Sequence, residues 1–210
     1  MTDIKAQIIA TSLDLFLTLG FKSVTMDEIA SALGVSKKGM SKKTLYTHFK
    51  NKGELVKESS VHLCDHICNG VDHIIDGETE NAIEELYTIK RFVMEHLKGD
   101  DTSPIYQLQK YYPEVHKEVT QIQFDFMDNC IKKNVSKGIE KGLYRDNINA
   151  NFIARIYFIG LQGIKNLHVF PTQNFPVNEL YNQYLEYHLR GIVTPQGRKI
   201  LNKITNTNHN

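Results

Sequence analysis

Residues 34–52 combine a cluster of lysines with a short run of aromatic and polar side chains. Seven of the nine lysines among the first 57 residues lie between positions 34 and 57, with Glu54 as the one acidic residue among them. A basic cluster next to a short helix that carries Tyr and His is typical of an element that enters a DNA groove. A solvated surface turn is the alternative, since charge runs are usually solvated.

A second group of potentially reactive side chains lies in one predicted helix. It consists of His62, Cys64, Asp65, His66, Cys68 and His73. Each His or Cys pair at i, i+4 could bind zinc or copper, but the two pairs point about 160° apart and cannot share an ion. Buried cysteines and surface histidines are the favoured interpretation, so we predict no metal and no cofactor.

The composition indicates a globular protein with its positive charge at one end. The 210 residues carry a formal net charge of +1, with an excess of four positive charges in residues 1–57 and of three negative charges in the rest. Three cysteines without framework spacing favour a reducing, cytoplasmic setting. The N-terminal residues are too charged for a signal peptide, and no apolar run reaches the roughly 20 residues of a membrane span.

Hydrophobic spacing predicts three helices at the N-terminal end. The first covers residues 3–19 and ends at Gly20. The second starts from a Thr25/Glu28 capping box and is stopped by Gly34 near Leu33. The third covers 42–49, is capped by Ser41, and buries Leu45 and Phe49. Asn51 then caps a long fourth helix to about residue 75. Short helices joined by a glycine turn form a helix-turn-helix signature, although an ordinary helical hairpin has the same outline.

The motifs in this region resemble one family closely. LDLFLTLGF, VTMDEIA and TLYTHFKNKGEL occur in order and with near-family spacing. Over about residues 5–57 the chain is similar to the N-terminal domain of tetracycline-repressor (TetR) family transcriptional regulators. The resemblance implies an all-α protein with a three-helix DNA-binding head and a helical bundle for ligand binding and dimerisation. We expect the head at 1–50, the bundle at 51–195, and a polar tail at 196–210 that is disordered from Thr205.

The turn between the second and third helices departs from the family pattern. Residues 34–38 are followed at once by a near copy of themselves at 39–43, which adds five residues. The extra unit could form a longer turn, or the third helix could start early at Ser36 and run through Gly39. We favour the longer turn, because glycine inside a helix costs about 1 kcal/mol relative to alanine.

The resemblance also implies roles for residues of the head. Lys42, Lys43 and Thr44 are the candidates that read base edges. Tyr46, Thr47 and His48 are carried over as groove or backbone contacts, and a surface position is the alternative for His48. Lys52 is carried over as a phosphate clamp. Thr25 could present its hydroxyl and the first amides of the second helix to another phosphate.

The remaining helices are predicted at 79–98, 104–111, from Pro113 to a stop at Gly142, 149–170 and 177–192. The helix at 149–170 is apolar nearly all round, which indicates a subunit interface or a central core helix. In the family the last two major helices pair with their twofold mates, so we expect a homodimer through 149–170 and 177–192. Gly160 and Gly163 would allow close approach of the two subunits there.

The resemblance further implies a pocket for a small-molecule effector in the bundle. Ten Tyr and ten Phe suggest an aromatic cavity for an apolar or flat ligand. The candidate lining is Phe92, Tyr106, Tyr111, Tyr112, Phe124, Tyr157 and Gln162. For any single one of these residues, core packing is the favoured explanation.

The function implied is that of a ligand-responsive repressor that binds a palindromic DNA operator. A TetR-like ligand- or partner-binding protein, whose duplicated turn has altered or abolished operator binding, is the second interpretation. An enzyme is the third, but the sequence has no phosphate-binding loop, nucleophile elbow, HExxH or paired-carboxylate motif.

Overall fold

The computed structural model describes residues 3–36, 42–77, 79, 81–97 and 103–208. These residues form ten α-helices and contain no β-sheet, which confirms the predicted all-α class. In chain order the helices are α1 Ile4–Leu19, α2 Met26–Ser36, α3 Lys42–His48, α4 Lys52–Asp76, α5 Ala82–His96, α6 Ser103–Tyr111, α7 Pro113–Glu140, α8 Ala150–Gly163, α9 Val177–Ile192 and α10 Pro195–Asn208. No helix in the described parts of the chain is both long and apolar enough to cross a membrane.

The chain divides into two compact units. Unit 1 comprises Met1–His66 and Asp101–Ile122, and unit 2 comprises Ile67–Asp100 and Gln123–Asn210. Helix α6 and the start of α7 therefore belong with the N-terminal helices. This grouping differs from the expected single domain at 51–195, because Leu108 of α6 is buried in the same core as the N-terminal helices.

Unit 1 is built around α1, which is capped at both ends. The Asp3 side chain accepts a hydrogen bond from the Lys5 amide at 2.9 Å. At the other end Gly20 has φ +85° and its N–H donates to the Phe16 carbonyl at 3.0 Å, so Gly20 ends the helix as predicted. The core of unit 1 consists of Ile8, Ile9, Phe16, Phe21, Val24, Met26, Ile29, Leu33, Leu45, Phe49, Leu55, Val56 and Leu108.

The start of α2 confirms the predicted capping box. The Thr25 amide donates to Glu28 Oε2 at 2.7 Å, and the Glu28 amide donates to Thr25 Oγ1 at 3.2 Å. The predicted stop at Gly34 is wrong, because α2 continues to Ser36. A glycine ends a helix readily when it adopts a left-handed φ, and Gly34 is not among the described glycines with positive φ.

Helix α4 begins at Lys52, next to its predicted cap, and the described part of α3 begins at Lys42. Leu45 and Phe49 have no exposed surface, which confirms them as core residues. The Asn51 side chain accepts from the Glu54 amide at 2.9 Å and so caps α4. Residues 37–41, with most of the duplicated unit and the predicted Ser41 cap, lie outside the described residues. The choice between a longer turn and an early start of the helix therefore stays a prediction.

Unit 2 packs the bundle helices around a separate core. Its buried residues are Ala82, Ile83, Leu86, Tyr87, Ile131, Val135, Leu143, Tyr144, Ile153, Ala154, Tyr157, Leu185, Leu189, Ile192, Val193 and Leu201. The predicted helix at 149–170 is too long, since α8 ends at Gly163. Turns follow, in which the Asn166 side chain accepts from the His168 amide at 3.0 Å, an arrangement that asparagine favours over continued helix.

The predicted polar, disordered tail is also wrong. Residues 195–208 form α10, which contacts α5 and α9. Leu201 is fully buried and Thr205 is nearly so, one turn further along the same face. This buried face outweighs the polar composition that suggested disorder.

A buried polar network joins α5 to α7 in unit 2. The Glu85 carboxylate is almost fully buried and accepts from Lys137 Nζ at 2.6 Å and from Asn134 Nδ2 at 2.7 Å. The Tyr144 hydroxyl donates to Asn134 Oδ1 at 3.0 Å. A buried carboxylate is tolerated only when its oxygens are paired in this way, so the network fixes the position of Tyr144.

Candidate nucleic-acid interface

Helix α3 has one buried face and one exposed face. Leu45 and Phe49 fill the core of unit 1, while Lys42, Lys43, Tyr46 and Thr47 are exposed. Thr44 and His48 are half-buried at the edge of the exposed face. The structure therefore brings the six predicted contact residues of α3 onto one element whose orientation is fixed by its core residues.

Lys42 forms an ion pair with Asp27 of α2. Its Nζ lies 2.6 Å from Asp27 Oδ1 and 6.0 Å from the centre of the Tyr46 ring. The hydrogen bond to Asp27 raises the pKa of Lys42 above its ordinary value. Since exposed ion pairs contribute little free energy, a DNA base or phosphate can replace Asp27 at small cost. Asp27 was not foreseen as a partner of this lysine.

The hydroxyl of Thr25 is already engaged at the start of α2. It donates to Glu28 Oε2 at 2.9 Å. Hydrogen bonds from the Thr25 amide and from this hydroxyl lower the pKa of the Glu28 carboxyl. A phosphate at this helix start would meet the negative charge of Glu28, so the Thr25 contact requires the Glu28 side chain to move away.

Lys52 lies at the start of α4 and is half-buried. Its Nζ donates to the backbone carbonyl of Lys22 at 3.2 Å. Burial lowers the pKa of Lys52, and the nearby Glu28 charge partly opposes that shift. An ammonium group has three N–H donors, so two remain for other partners.

Two residues that sequence patterns did not single out lie beside these groups. Gln107 of α6 accepts from the Lys22 amide at 2.9 Å through Oε1. The Lys22 ammonium lies 5.3 Å from the centre of the Tyr111 ring. No local signal could identify the hydrogen bond, since 85 positions separate its partners.

The predicted effector-lining residues divide between the two units. Tyr106, Tyr111 and Tyr112 belong to unit 1, and Phe92, Phe124, Tyr157 and Gln162 belong to unit 2. Tyr106 and Tyr111 are exposed. Tyr112 packs edge-on against Phe21 with ring centroids 6.5 Å apart, so it supports the α1–α2 connection.

The four residues of unit 2 differ in their surroundings. Phe92 lies over Gly70 and next to His96. Phe124 meets Phe158 edge-on at 5.1 Å. Tyr157 is buried and stacks on Tyr184 at 5.6 Å, and Gln162 is half-buried.

Two buried polar atoms near Tyr157 have no hydrogen-bond partner among the described residues. They are the Tyr87 hydroxyl and His188 Nε2. The His188 ring lies 4.6 Å from the Tyr157 ring. Burial lowers the pKa of His188 to about 4 and raises the pKa of Tyr157, so both side chains are neutral at pH 7. In the described parts of the chain, no three His, Cys, Asp or Glu residues gather as a metal-binding group.

An apolar stripe is exposed on α8. Phe152 and Ile159 are 63% and 61% exposed, and Ile156 lies between them on the same face. On α9 Tyr187 is 76% exposed. The expected role of Gly160 is corrected: a Cβ there would overlap the Tyr184 ring, so Gly160 makes room for α9 of its own chain.

Residues 8–59 match the family described as bacterial regulatory proteins, tetR family. This match spans α2, α3 and most of α1, and it confirms the resemblance of the N-terminal motifs. Residues 8–59 are therefore similar to the N-terminal DNA-binding domain of TetR-family transcriptional regulators. TetR-family proteins are regulators and not enzymes, which removes the enzyme interpretation.

Similar proteins also match over nearly the whole length of the chain, and the solved structures among them share its fold. The chain is 22% identical to the HTH-type transcriptional repressor KstR2 of Mycolicibacterium smegmatis, over 92% of each chain. The structure resembles a Cytophaga hutchinsonii transcriptional regulator, with TM-score 0.71, 18% identity and coverage of 90% and 98%. It also resembles a Saccharomonospora viridis regulator in complex with choline, with TM-score 0.70, 15% identity and coverage of 92% and 100%.

Proposed function

We propose that this protein is a homodimeric repressor that leaves its operator when a small molecule binds to unit 2. The observation that carries the proposal is α3, which exposes Lys42, Lys43, Tyr46 and Thr47. Its other face is fixed in the core by Leu45, together with Phe49 directly after the helix. Such a helix can lie in a major groove with a fixed register. We place the protein in the cytoplasm, where it would have access to bacterial DNA.

We propose different roles for two lysines of this interface. Lys43 is exposed at the start of α3 and would donate to a guanine edge. Lys52 is held at the start of α4 and would contact a phosphate, which carries no sequence information.

Replacing Lys52 with alanine should weaken binding to every sequence and reduce the slope of log affinity against log salt by about 0.9. Lys43→Ala should instead reduce the preference for one base at one position of the operator. A specific base contact contributes about 1–3 kcal/mol of discrimination against the wrong base. Selection from a randomised duplex pool, followed by fluorescence anisotropy in a salt series, measures both. Equal losses on every sequence for both variants would refute this division of roles.

The second interpretation, a relative that no longer binds an operator because of the duplicated turn, makes an opposite prediction. A gel shift at low salt on the DNA upstream of its own gene separates the two. A shift that a Lys42/Lys43 double alanine variant loses supports the repressor, and no shift of the wild type supports the second interpretation.

We propose that two subunits pair through the exposed stripe of α8 together with α9. Phe152, Ile156 and Ile159 form a contiguous apolar face of the kind that marks protein interfaces. Tyr187 adds an aromatic anchor on α9. A twofold-symmetric dimer would meet two half-sites about 34–36 Å apart.

We further propose an apolar or aromatic effector that contacts Phe92, Phe124, Tyr157 and Gln162. The unpartnered Tyr87 hydroxyl and His188 Nε2 favour a ligand with one polar group, because buried polar atoms gain from a hydrogen bond. The choline found with the Saccharomonospora viridis regulator offers a charged comparison compound, since aromatic rings also attract cations.

Uncharged aromatic compounds should raise the Tm of the wild-type protein, and Phe124→Ala should reduce that increase. A ligand at about 100 times its Kd stabilises a protein by about 2.7 kcal/mol. Phe175→Ala is the matched control, since Phe175 forms a similar edge-on pair with Phe170 at 5.4 Å outside the proposed lining. Differential scanning fluorimetry with indole and with choline makes the comparison, and a response to choline alone would show the effector class to be wrong.

A further inference from the structure

The backbone of Lys22 is held from two sides. Its amide donates to Gln107 Oε1 at 2.9 Å, and its carbonyl accepts from Lys52 Nζ at 3.2 Å. Lys22, in the α1–α2 connection, thus links the side chain of Gln107 to the side chain of Lys52, the predicted phosphate contact. All three residues lie in unit 1.

The α1–α2 connection is shaped to receive Gln107. Gly20 has φ +85°, and a Cβ there would lie 2.6 Å from Gln107 Oε1. Any other L-residue at position 20 would therefore collide with the glutamine as well as strain the backbone. The neighbouring Leu108 is buried in the core of unit 1, which fixes α6 in this place.

We infer that Gln107 is a positioning residue for DNA binding, acting through the Lys22 backbone on the Lys52 ammonium group. This rests on the proposed contact of Lys52 with a phosphate. With its amide fixed by Gln107, Lys22 presents its carbonyl at a constant position. The carbonyl in turn holds one N–H of Lys52 and leaves two donors for a phosphate oxygen.

The energetic reason is preorganisation. A free lysine side chain has about 2 kcal/mol of rotamer entropy to lose when it binds. Lys52 has given up part of this freedom before DNA arrives, because it is half-buried and bonded to Lys22. Without the Gln107 acceptor the Lys22 backbone is held on one side only, and Lys52 again has to be ordered on binding.

Gln107→Met tests this role, because methionine has nearly the same length and no strong acceptor. Binding of the full-length protein is measured by anisotropy on a labelled random-sequence duplex of about 30 base pairs, in a salt series. We expect affinity to fall about fivefold and the salt slope to fall by up to about 0.9, toward the values of Lys52→Met. The double variant should bind no more weakly than Lys52→Met alone, because Gln107 acts through Lys52.

Gln109→Met is the matched control on the exposed side of the same helix, and it should bind like the wild type. A wild-type protein that does not bind the duplex at low salt would refute the proposed function itself. If the wild type binds, three results would overturn the inference alone. These are unchanged binding by Gln107→Met, a loss that adds to that of Lys52→Met, and a loss that lowers Tm but leaves the salt slope unchanged.

Discussion

Replacing Ile159 with glutamate should convert the protein from a dimer to a monomer. If the exposed face of α8 meets its twofold mate, the substitution buries two carboxylates without partners, one from each subunit. Each costs several kcal/mol when desolvated, so the dimer dissociation constant should rise by at least about a hundredfold. Light scattering after size exclusion measures the mass directly.

The Ile159→Glu variant should also bind its operator more weakly, because the dimer is lost. Two linked heads bind far more tightly than one, by a factor of about 10²–10⁴, because the second contact is intramolecular. Leu19→Glu is the control for the mass measurement, since Leu19 is a similarly exposed apolar residue of unit 1. A dimeric Ile159→Glu protein with unchanged DNA affinity would rule out α8 as the interface.

The parts of the fold that the sequence predicts well depend on contacts within a few residues. Thr25 with Glu28, and Asn51 with Glu54, are local pairs whose geometry follows from their spacing. The same holds for Gly20, whose left-handed φ ends α1. The end of α1 and the starts of α2 and α4 were therefore predictable, together with the inward face of α3, whereas the end of α2 was not.

The errors arise where a tertiary contact outweighs local composition. Helix α10 looked like a polar tail, although Ile200, Leu201 and Ile204 follow helical spacing and Leu201 is buried. Gly160 looked like a point of approach between subunits, but its space is taken by Tyr184 of the same chain. Spacing along one helix identifies neither the helices that cover α10 nor the Tyr184 ring that covers Gly160.

The candidate sites show the same limit. The residues of α3 could be placed because they share one short helix. Gln107 could not, since its contact with Lys22 spans 85 positions. The sequence also cannot tell which aromatic residues pack in the core and which could contact a ligand. The pair Tyr112–Phe21 and the pair Phe124–Phe158 are both edge-on aromatic contacts and are chemically alike.

Replacing Gly138 with alanine should destabilise unit 2 by several kcal/mol. Gly138 lies near the end of α7, which closes in a Schellman motif. In this motif the Leu143 amide donates to the Gly138 carbonyl at 2.8 Å, and Gly142 has φ +68°. This turn folds the Tyr144 ring directly over Gly138, where an added Cβ would lie 2.6 Å from Tyr144 Cγ.

Tyr144 cannot move aside without loss. Its ring is 1% exposed, and its hydroxyl donates to Asn134 Oδ1 in the network that pairs Glu85. Overpacking costs about 1–3 kcal/mol, and a broken hydrogen bond to a buried group adds about 1–3 kcal/mol. The free energy of unfolding in urea should fall by the sum of these two costs, or about 2–6 kcal/mol.

Gly163→Ala is the matched control, because it is also a glycine near the end of a helix but has no atom within 4 Å of the added Cβ. It should be neutral or stabilise the protein by up to about 1 kcal/mol through helix propensity. Equal stability of the two variants would mean that Tyr144 can leave its place over Gly138 freely. In that case the Glu85 network would not hold the end of α7 in position.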